Sequence, residues 1–190
     1  MTKVFLQTGL LGLSGGMDDW VYQRRKGKTV IGKRPTNTKE PSEAQLNHRK
    51  RFQKATKYAK KVLANGQRAF YEAAAEKREK PAFALAVADY LNPPEVETIS
   101  LGTYQGKPGG TIQVSASDDF GVVNVRVTIH DAASSIVETG DAVESDEEAD
   151  LWIYTSQASV DFGSDLIISA VATDRPGGEA SASLNITTAR

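Results

Sequence analysis

The chain has 190 residues, 39% of them hydrophobic and 25% charged, which is typical of a globular protein. It contains no cysteine, which excludes disulfides, thiolate metal sites and a cysteine nucleophile, and no apolar run of about 18 residues that would predict a membrane-spanning helix. The formal net charge of −1 hides a division: residues 1–93 carry 19 Lys and Arg against 8 Asp and Glu (+11), whereas residues 94–190 carry 4 against 16 (−12). Such asymmetry indicates a nucleic acid, an anionic surface or a complementary protein as partner.

The N-terminal segment does not read as a targeting signal. Its first twenty residues contain one lysine and a short apolar patch, which Gln7, Thr8 and Gly9 interrupt. No small-residue cleavage site follows cleanly, so we expect mature sequence rather than a signal peptide. The expected location is then the cytoplasm or an assembled particle.

Residues 20–35, WVYQRRKGKTVIGKRP, predict a two-stranded ribbon with a basic tip. Val, Thr and Ile favour strands on both sides of Lys26–Gly27, and Gly27 supplies the positive φ that a tight hairpin turn needs. The candidate partner-binding residues of this ribbon are Trp20, Tyr22, Arg24, Arg25, Lys26, Lys28, Lys33 and Arg34.

A helical period begins after Pro41. Ser42 and Gln45 form a predicted capping box, and Asn65–Gly66 predicts a left-handed end of the helix. One face of this helix is expected to pack inward and consists of Gln45, His48, Phe52, Ala55, Ala59, Val62 and Leu63. The opposite face carries a stripe of further candidate partner-binding residues, Lys50, Lys54, Lys57 and Lys61.

Two shorter helices complete the basic half. One is predicted over residues 67–78, and the other begins at Pro81, a favourable first helical position, and ends before Pro93. The last helix is expected to bury Phe83, Leu85, Val87, Tyr90 and Leu91. Paired prolines end a helix and stiffen a linker, which places the predicted domain junction between residues 93 and 94.

The acidic half alternates with the period of β-strands. Seven short strands with turn signals between them predict an antiparallel sandwich of the immunoglobulin-like class. The fold class is therefore α+β with two domains, a basic ribbon and helical part at 1–93 and a sandwich at 94–190. The candidate core residues of the sandwich are Val114, Val123, Val125, Val127, Ile129, Trp152, Tyr154, Ile167, Ala170 and Ala172.

Two stretches of the acidic half, YQGKPGGTIQVSASDDFGVVNVRVTI and AVATDRPGG, resemble bacterial immunoglobulin-like domains. Most of the chain also resembles a group of uncharacterised bacterial proteins, through GKTVIGKRP, a helix with the pattern Q…R…F and the joint DYLNPPE. The resemblance implies this architecture and no activity. Sandwiches of this class mostly bind or space other molecules, and a fold by itself does not determine function.

The basic residues have two interpretations. A lysine stripe on a helix is often only its solvated face. The alternative is an electrostatic footprint for phosphates or for an acidic protein surface, and the ribbon favours this alternative because one helix pattern cannot account for its cations. No zinc-finger spacing, RNP1 string or basic-zipper heptad accompanies them, so the signal is electrostatic only.

The carboxylates also allow two interpretations. Asp118, Asp119 and Asp174 are predicted in loops at one end of the sandwich, where they would offer oxygen ligands to Ca²⁺. Turn formation is the favoured interpretation, since Ca²⁺ needs six or more oxygens and no recognisable loop supplies them. No metal or cofactor is therefore predicted. The acidic loop at residues 138–150 is either solvated or the counterpart of the basic half.

Catalysis has little support in the sequence. His48 and His130, the two histidines, lie in different predicted domains, and no nucleophile elbow, P-loop, zinc-protease or dinucleotide motif is present. The sequence favours a non-enzymatic structural or assembly protein, as in a phage, a phage-tail-like particle or another multi-subunit array, with a protein partner or a second copy. The alternatives are a sequence-nonspecific nucleic-acid-binding protein and, third, a carbohydrate- or surface-binding module.

Overall fold

The computed structural model describes residues 15–25, 28–34 and 40–188. These residues form three helices and three antiparallel sheets, which confirms the predicted α+β class. The predicted turn at Lys26–Gly27 lies outside the described residues.

The chain divides into two compact units, Met1–Leu46 and Asn47–Arg190. The domain junction predicted between residues 93 and 94 falls inside the second unit and stays a prediction.

The first unit contains a three-stranded antiparallel sheet in the order β1 (Gly15–Met17), β2 (Trp20–Arg25) and β3 (Lys28–Lys33). Strands β2 and β3 are the two arms of the predicted ribbon. Strand β1 was not predicted, because its two glycines have low strand propensity.

Three helices follow: α1 (Glu43–Ala64), α2 (Arg68–Arg78) and α3 (Ala82–Leu91). The predicted capping box is confirmed, because the Gln45 N–H donates to Ser42 Oγ at 3.3 Å and the Ser42 N–H donates to Gln45 Oε1 at 3.2 Å. The left-handed end at Asn65–Gly66 is wrong, since neither residue has a positive φ. The chain instead turns directly into α2, with the Arg68 N–H bonded to the Asn65 carbonyl.

The helical core forms only along the second part of α1. The helices bury Ala55, Ala59, Val62, Tyr71, Leu85, Ala86 and Val87. Predicted inward positions at Gln45, His48 and Phe52 are wrong, because all three residues are exposed. Phe83 of α3 is exposed too. The apolar cluster extends along α1 only from Ala55 onward, so the earlier turns have no apolar surface to pack against.

Residues 95–187 form two four-stranded antiparallel sheets. Their strands are β4 (Glu95–Ser100), β5 (Thr111–Ser117), β6 (Val122–Asp131), β7 (Ile136–Asp141), β8 (Val143–Glu144), β9 (Leu151–Thr155), β10 (Asp165–Asp174) and β11 (Glu179–Thr187). One sheet has the order β11-β10-β6-β7 and the other β4-β5-β9-β8. The seven predicted strands are present, and the two-residue β8 is an addition.

The inward side chains of both sheets form one core, as the period-two pattern predicted. Eight of the predicted core residues are buried: Val114, Val125, Val127, Ile129, Trp152, Tyr154, Ala170 and Ala172. Val123 is exposed because it is the extra residue of a bulge where β6 pairs with Thr173 and Asp174. Ile167 is only partly buried, since its neighbours Leu166 and Ile168 occupy the inward positions.

The helices contact one end of the sandwich within the second unit. Phe120, in the loop after β5, packs against the helical cluster, and the Arg78 guanidinium lies 4.4 Å from the centre of its ring. Arg78 also donates to the Asp119 carbonyl, and Asn92 donates to Asp119 Oδ2 at 2.9 Å. These contacts tie the segment around the paired prolines to the sandwich.

Candidate partner-binding surfaces

One face of the first sheet combines aromatic and cationic side chains. Trp20 lies opposite Lys33, Tyr22 opposite Ile31 and Arg24 opposite Thr29. Alternate residues of a strand point to the same face, as do directly opposed residues of neighbouring strands. The structure therefore brings together Trp20, Tyr22, Arg24 and Lys33, four of the predicted residues, on what we call the aromatic–basic face.

The aromatic–basic face is open. Trp20 is 51% exposed, Arg24 and Lys33 are exposed, and Tyr22 is half-buried. Arg34 follows β3, where its N–H donates to the Asp19 carbonyl at 2.6 Å. Of the remaining predicted residues, Arg25 ends β2, Lys28 begins β3 and Lys26 lies outside the described residues.

The α1 lysine stripe is fully displayed. Lys50, Lys54, Lys57 and Lys61 are all exposed, as predicted for one face of an amphipathic helix. The first twelve residues of α1 are exposed on every side, and Phe52 among them is 47% exposed. This half of the helix thus exposes the phenyl ring of Phe52 among basic side chains.

Most of these charges have no carboxylate beside them. In the part of the chain that the structure describes, two ion pairs form, Arg68–Glu72 at 2.7 Å and Arg126–Asp141 at 2.8 Å. Neither pair uses the aromatic–basic face or the lysine stripe. The field of the basic residues is therefore available to a partner.

A buried hydrogen-bonded chain that sequence analysis missed joins the helices. The Tyr58 hydroxyl lies 3.0 Å from that of Tyr71, and the Tyr71 hydroxyl donates to Asp89 Oδ2. Asp89 is 1% exposed, and its Oδ1 has no hydrogen-bond partner. The sequence does contain one indication that Asp89 is buried. It lies on α3 four residues after Leu85, and therefore on the face that this helix buries.

Burial has a large effect on the pKa of the Asp89 carboxyl group. It raises the pKa of Asp89 to about 6, against the opposing hydrogen bond from Tyr71. The nearby carboxylates of Asp118 and Asp174 raise the pKa further, and the Arg175 guanidinium lowers it. Asp89 is therefore a titratable group held in the helical core where it meets the sandwich loops.

The three aspartates considered for Ca²⁺ form turn and joint contacts. Asp118 Oδ2 accepts from the Phe120 N–H at 2.7 Å, Asp119 accepts from Asn92, and Asp174 Oδ1 accepts from the Gly178 N–H. Arg175 lies 4.0 Å from the centre of the Phe70 ring, and no ion pair with Asp174 forms. Among the described residues no group of three or more His, Cys, Asp and Glu side chains is placed to hold a metal ion.

An acidic groove lies at one edge of the sandwich. It has a volume of about 590 Å³ and runs between β7 and the end of β9. Glu138 is bound at the end of this groove, where it accepts from the Gln157 N–H at 2.6 Å and from Ser156 Oγ at 2.8 Å. Sequence analysis noted the acidity of residues 138–150 but had no means of predicting the groove, which needs both sheets.

Comparisons with known proteins give little beyond the geometry. No family model matches the chain, and no curated protein matches it. Among solved structures, a crystal structure of CopC from Methylosinus trichosporium OB3b is similar over 50% of this chain and 93% of that chain, at 12% identity and a TM-score of 0.39. A likeness of this size supports no functional argument. No helix in the described ranges has the length and apolar character needed to cross a membrane.

Proposed function

We propose that this chain is a non-enzymatic structural or assembly protein whose basic N-terminal part binds an anionic protein surface. One observation carries the proposal: among the residues before Ala55 whose side-chain exposure the structure describes, none is buried. The sheet β1–β3 and the first three turns of α1 are regular elements without a core of their own. A phage, a phage-tail-like particle or another multi-subunit array is the expected setting.

Energetics favour a partner for these elements. Ordering a residue costs roughly 1–2 kcal/mol in backbone entropy, and burial of apolar surface normally offsets this cost. A small sheet is marginal in water unless its apolar face packs against something. Burying Trp20 and Tyr22 of the aromatic–basic face against a neighbour would supply this surface, and the cations around them would select an anionic one.

The sandwich has a separate role in this proposal. We infer that it is an immunoglobulin-like domain that is displayed on the assembly or spaces its parts. Its support is the order of the two four-stranded sheets around one core. The helices α2 and α3, bonded to its end loops, would fix its position relative to the lysine stripe.

The test is size-exclusion chromatography with light scattering, run with and without nuclease. We expect a species many times larger than the 20.5 kDa chain that nuclease leaves intact and that raised salt weakens. The variant Arg24→Glu/Lys33→Glu should yield a small, folded species. A matched control, Lys80→Glu/Lys107→Glu, makes the same charge change at two exposed lysines outside the face and should assemble normally.

Other outcomes separate the alternative functions. A monomer at all concentrations would contradict the assembly proposal. A large species that nuclease dissolves, with DNA or RNA affinity that falls steeply with salt, would favour the nucleic-acid-binding alternative, because lysines and arginines release counterions on binding phosphates.

A further inference from the structure

The groove beside β7 is bordered by two strand edges that have no neighbour. β7 is the last strand of its sheet. β8 pairs only with Trp152 and Ile153 of β9, so Tyr154 and Thr155 have no strand on that side within the described residues. Edges of this kind are templates for an additional strand. A groove between two of them fits an extended strand better than a helix or a flat surface.

Tightly packed residues form the floor of the groove. Tyr154 is buried and lies so close to Gly140 that a Cβ atom there would come within 2.7 Å of its ring. Burial raises the pKa of Glu138, but hydrogen bonds from Gln157, Tyr154, Ser156 and Ala158 outweigh burial and keep the pKa below its usual value. The groove therefore carries a fixed negative charge at neutral pH.

The chain around the groove is mostly acidic, although Asp141, which lines the groove, is paired with Arg126 at 2.8 Å. No Lys or Arg occurs from Val127 to Asp174, whereas eleven Asp and Glu do, counting Asp174. Within this range, Glu144 is exposed in β8 beside Val143, and Asp146, Glu147, Glu148 and Asp150 are exposed on the loop that follows β8. Val143, which lines the groove, is 72% exposed and offers an apolar contact. A basic strand with some apolar character is the complementary ligand.

The same chain contains such a strand. β3, with the sequence KTVIGK, is an edge of its sheet and has lysine at both ends. We propose that β3 of a second copy occupies the groove between β7 and β9, so that each chain offers a strand to one neighbour and a groove to another. This inference rests on the proposed function and identifies its anionic surface.

A mixing experiment tests this directly. Variant A, Arg24→Glu/Lys33→Glu, reverses the charge at the end of β3 and at Arg24 of β2, which lies opposite Thr29 of β3, and keeps the groove. Variant B, Thr155→Lys/Gln157→Lys, impairs the groove through two exposed side chains with no hydrogen bond of their own and keeps the strand. Each alone should raise the concentration for half-assembly by about tenfold or more, equivalent to 1.4 kcal/mol. Mixed in equal amounts, they should form a species of two chains that cannot grow, because one strand and one groove remain.

A control and three outcomes make the test decisive. Ser181→Lys/Ser183→Lys adds the same charge on β11, the opposite edge of the sheet, and should assemble as the native protein does. If B assembles normally while A does not, the groove proposal fails and the assembly function survives. If the native protein is monomeric, the groove proposal and the proposed assembly function both fail. If A and B are each small and folded but do not combine, the two surfaces do not meet and the groove proposal is wrong.

Discussion

The buried side chain of Asp89 makes the stability of the folded protein depend on pH. Its carboxyl group receives a single hydrogen bond, from Tyr71, and lies near the carboxylates of Asp118 and Asp174. A raised folded pKa means that the folded state holds a proton that the unfolded state releases. The stabilisation is complete below about pH 4, declines as pH rises to about 6, and is absent above it.

The variant Asp89→Asn tests this pH dependence. The native protein should lose roughly 2 kcal/mol of unfolding free energy between pH 4 and pH 6.5 from this group, because the pKa rises from 3.8 to about 6, each unit is 1.36 kcal/mol, and the unfolded carboxyl group is already partly ionised at pH 4. Asn keeps an acceptor for Tyr71 and carries no charge. Urea titrations at several pH values should therefore give a flatter curve for the variant than for the native protein, and parallel curves would contradict the assignment.

Tyr71→Phe provides the complementary control. It leaves both Asp89 oxygens without a donor, which should cost about 2 kcal/mol at pH 7 and less at pH 5, where the carboxyl group is protonated. A loss of stability independent of pH would mean that the hydroxyl acts only through packing.

Helix α1 has two halves with different environments. From Ala55 onward it contributes buried side chains to the helical core. Before that residue it is held by the Ser42–Gln45 capping box and by the bond from Arg51 to the Leu91 carbonyl at 3.2 Å. Helical stability in proteins comes mainly from packing of an apolar face. The first half should therefore open locally while the second half opens only on global unfolding.

Ser42→Ala separates the two halves by hydrogen exchange. In a variant that does not assemble, such as Arg24→Glu/Lys33→Glu, removing the cap should weaken the first turns by about 1 kcal/mol and speed their amide exchange about fivefold. Exchange from Ala55 to Ala64 and the melting temperature should not change. Equal acceleration along the whole helix would show that α1 unfolds as one element.

At the scale of the molecule, the chain joins a basic half, whose buried cluster begins only at Ala55, to an acidic half with a well-packed sandwich core. Charge of opposite sign on two parts of one chain favours head-to-tail contacts between copies, which close into rings or extend into filaments. Each exposed ion pair contributes only about 0–1 kcal/mol, so an assembly needs several pairs together with apolar burial. The exposed Trp20 and Phe52 are two of the large apolar side chains that can provide this burial from the basic half.

Limited proteolysis should reveal this division. The first cuts are expected before Ala55, where no described residue is buried, and in the exposed loop at residues 146–150. The sequence alone predicts a cut near Leu91–Val96 or within residues 140–150. Because Asn92 is bonded to Asp119 and Arg51 to Leu91, the first of these sites should resist. Mass spectrometry of the fragments checks the order. Early cleavage at Leu91–Val96 would show that the helices and the sandwich separate easily.

The sequence by itself determined the local elements. The Ser42–Gln45 capping box and the alternation of Val125, Val127 and Ile129 depend on neighbours along the chain, and both predictions are confirmed. The division of charge between residues 1–93 and 94–190 is also a property of sequence alone.

Which of the predicted faces are covered depends on how distant segments pack together. Phe52 and Ala55 follow the same helical pattern, but the apolar cluster reaches only Ala55. Asp89 became a buried acid because Tyr71, eighteen residues earlier, lies against it. The groove exists because β7 is the edge of one sheet and the short β8 leaves the last residues of β9 in the other sheet without a neighbour. Burial depends on which distant segments meet, and local periodicity carries no information about that.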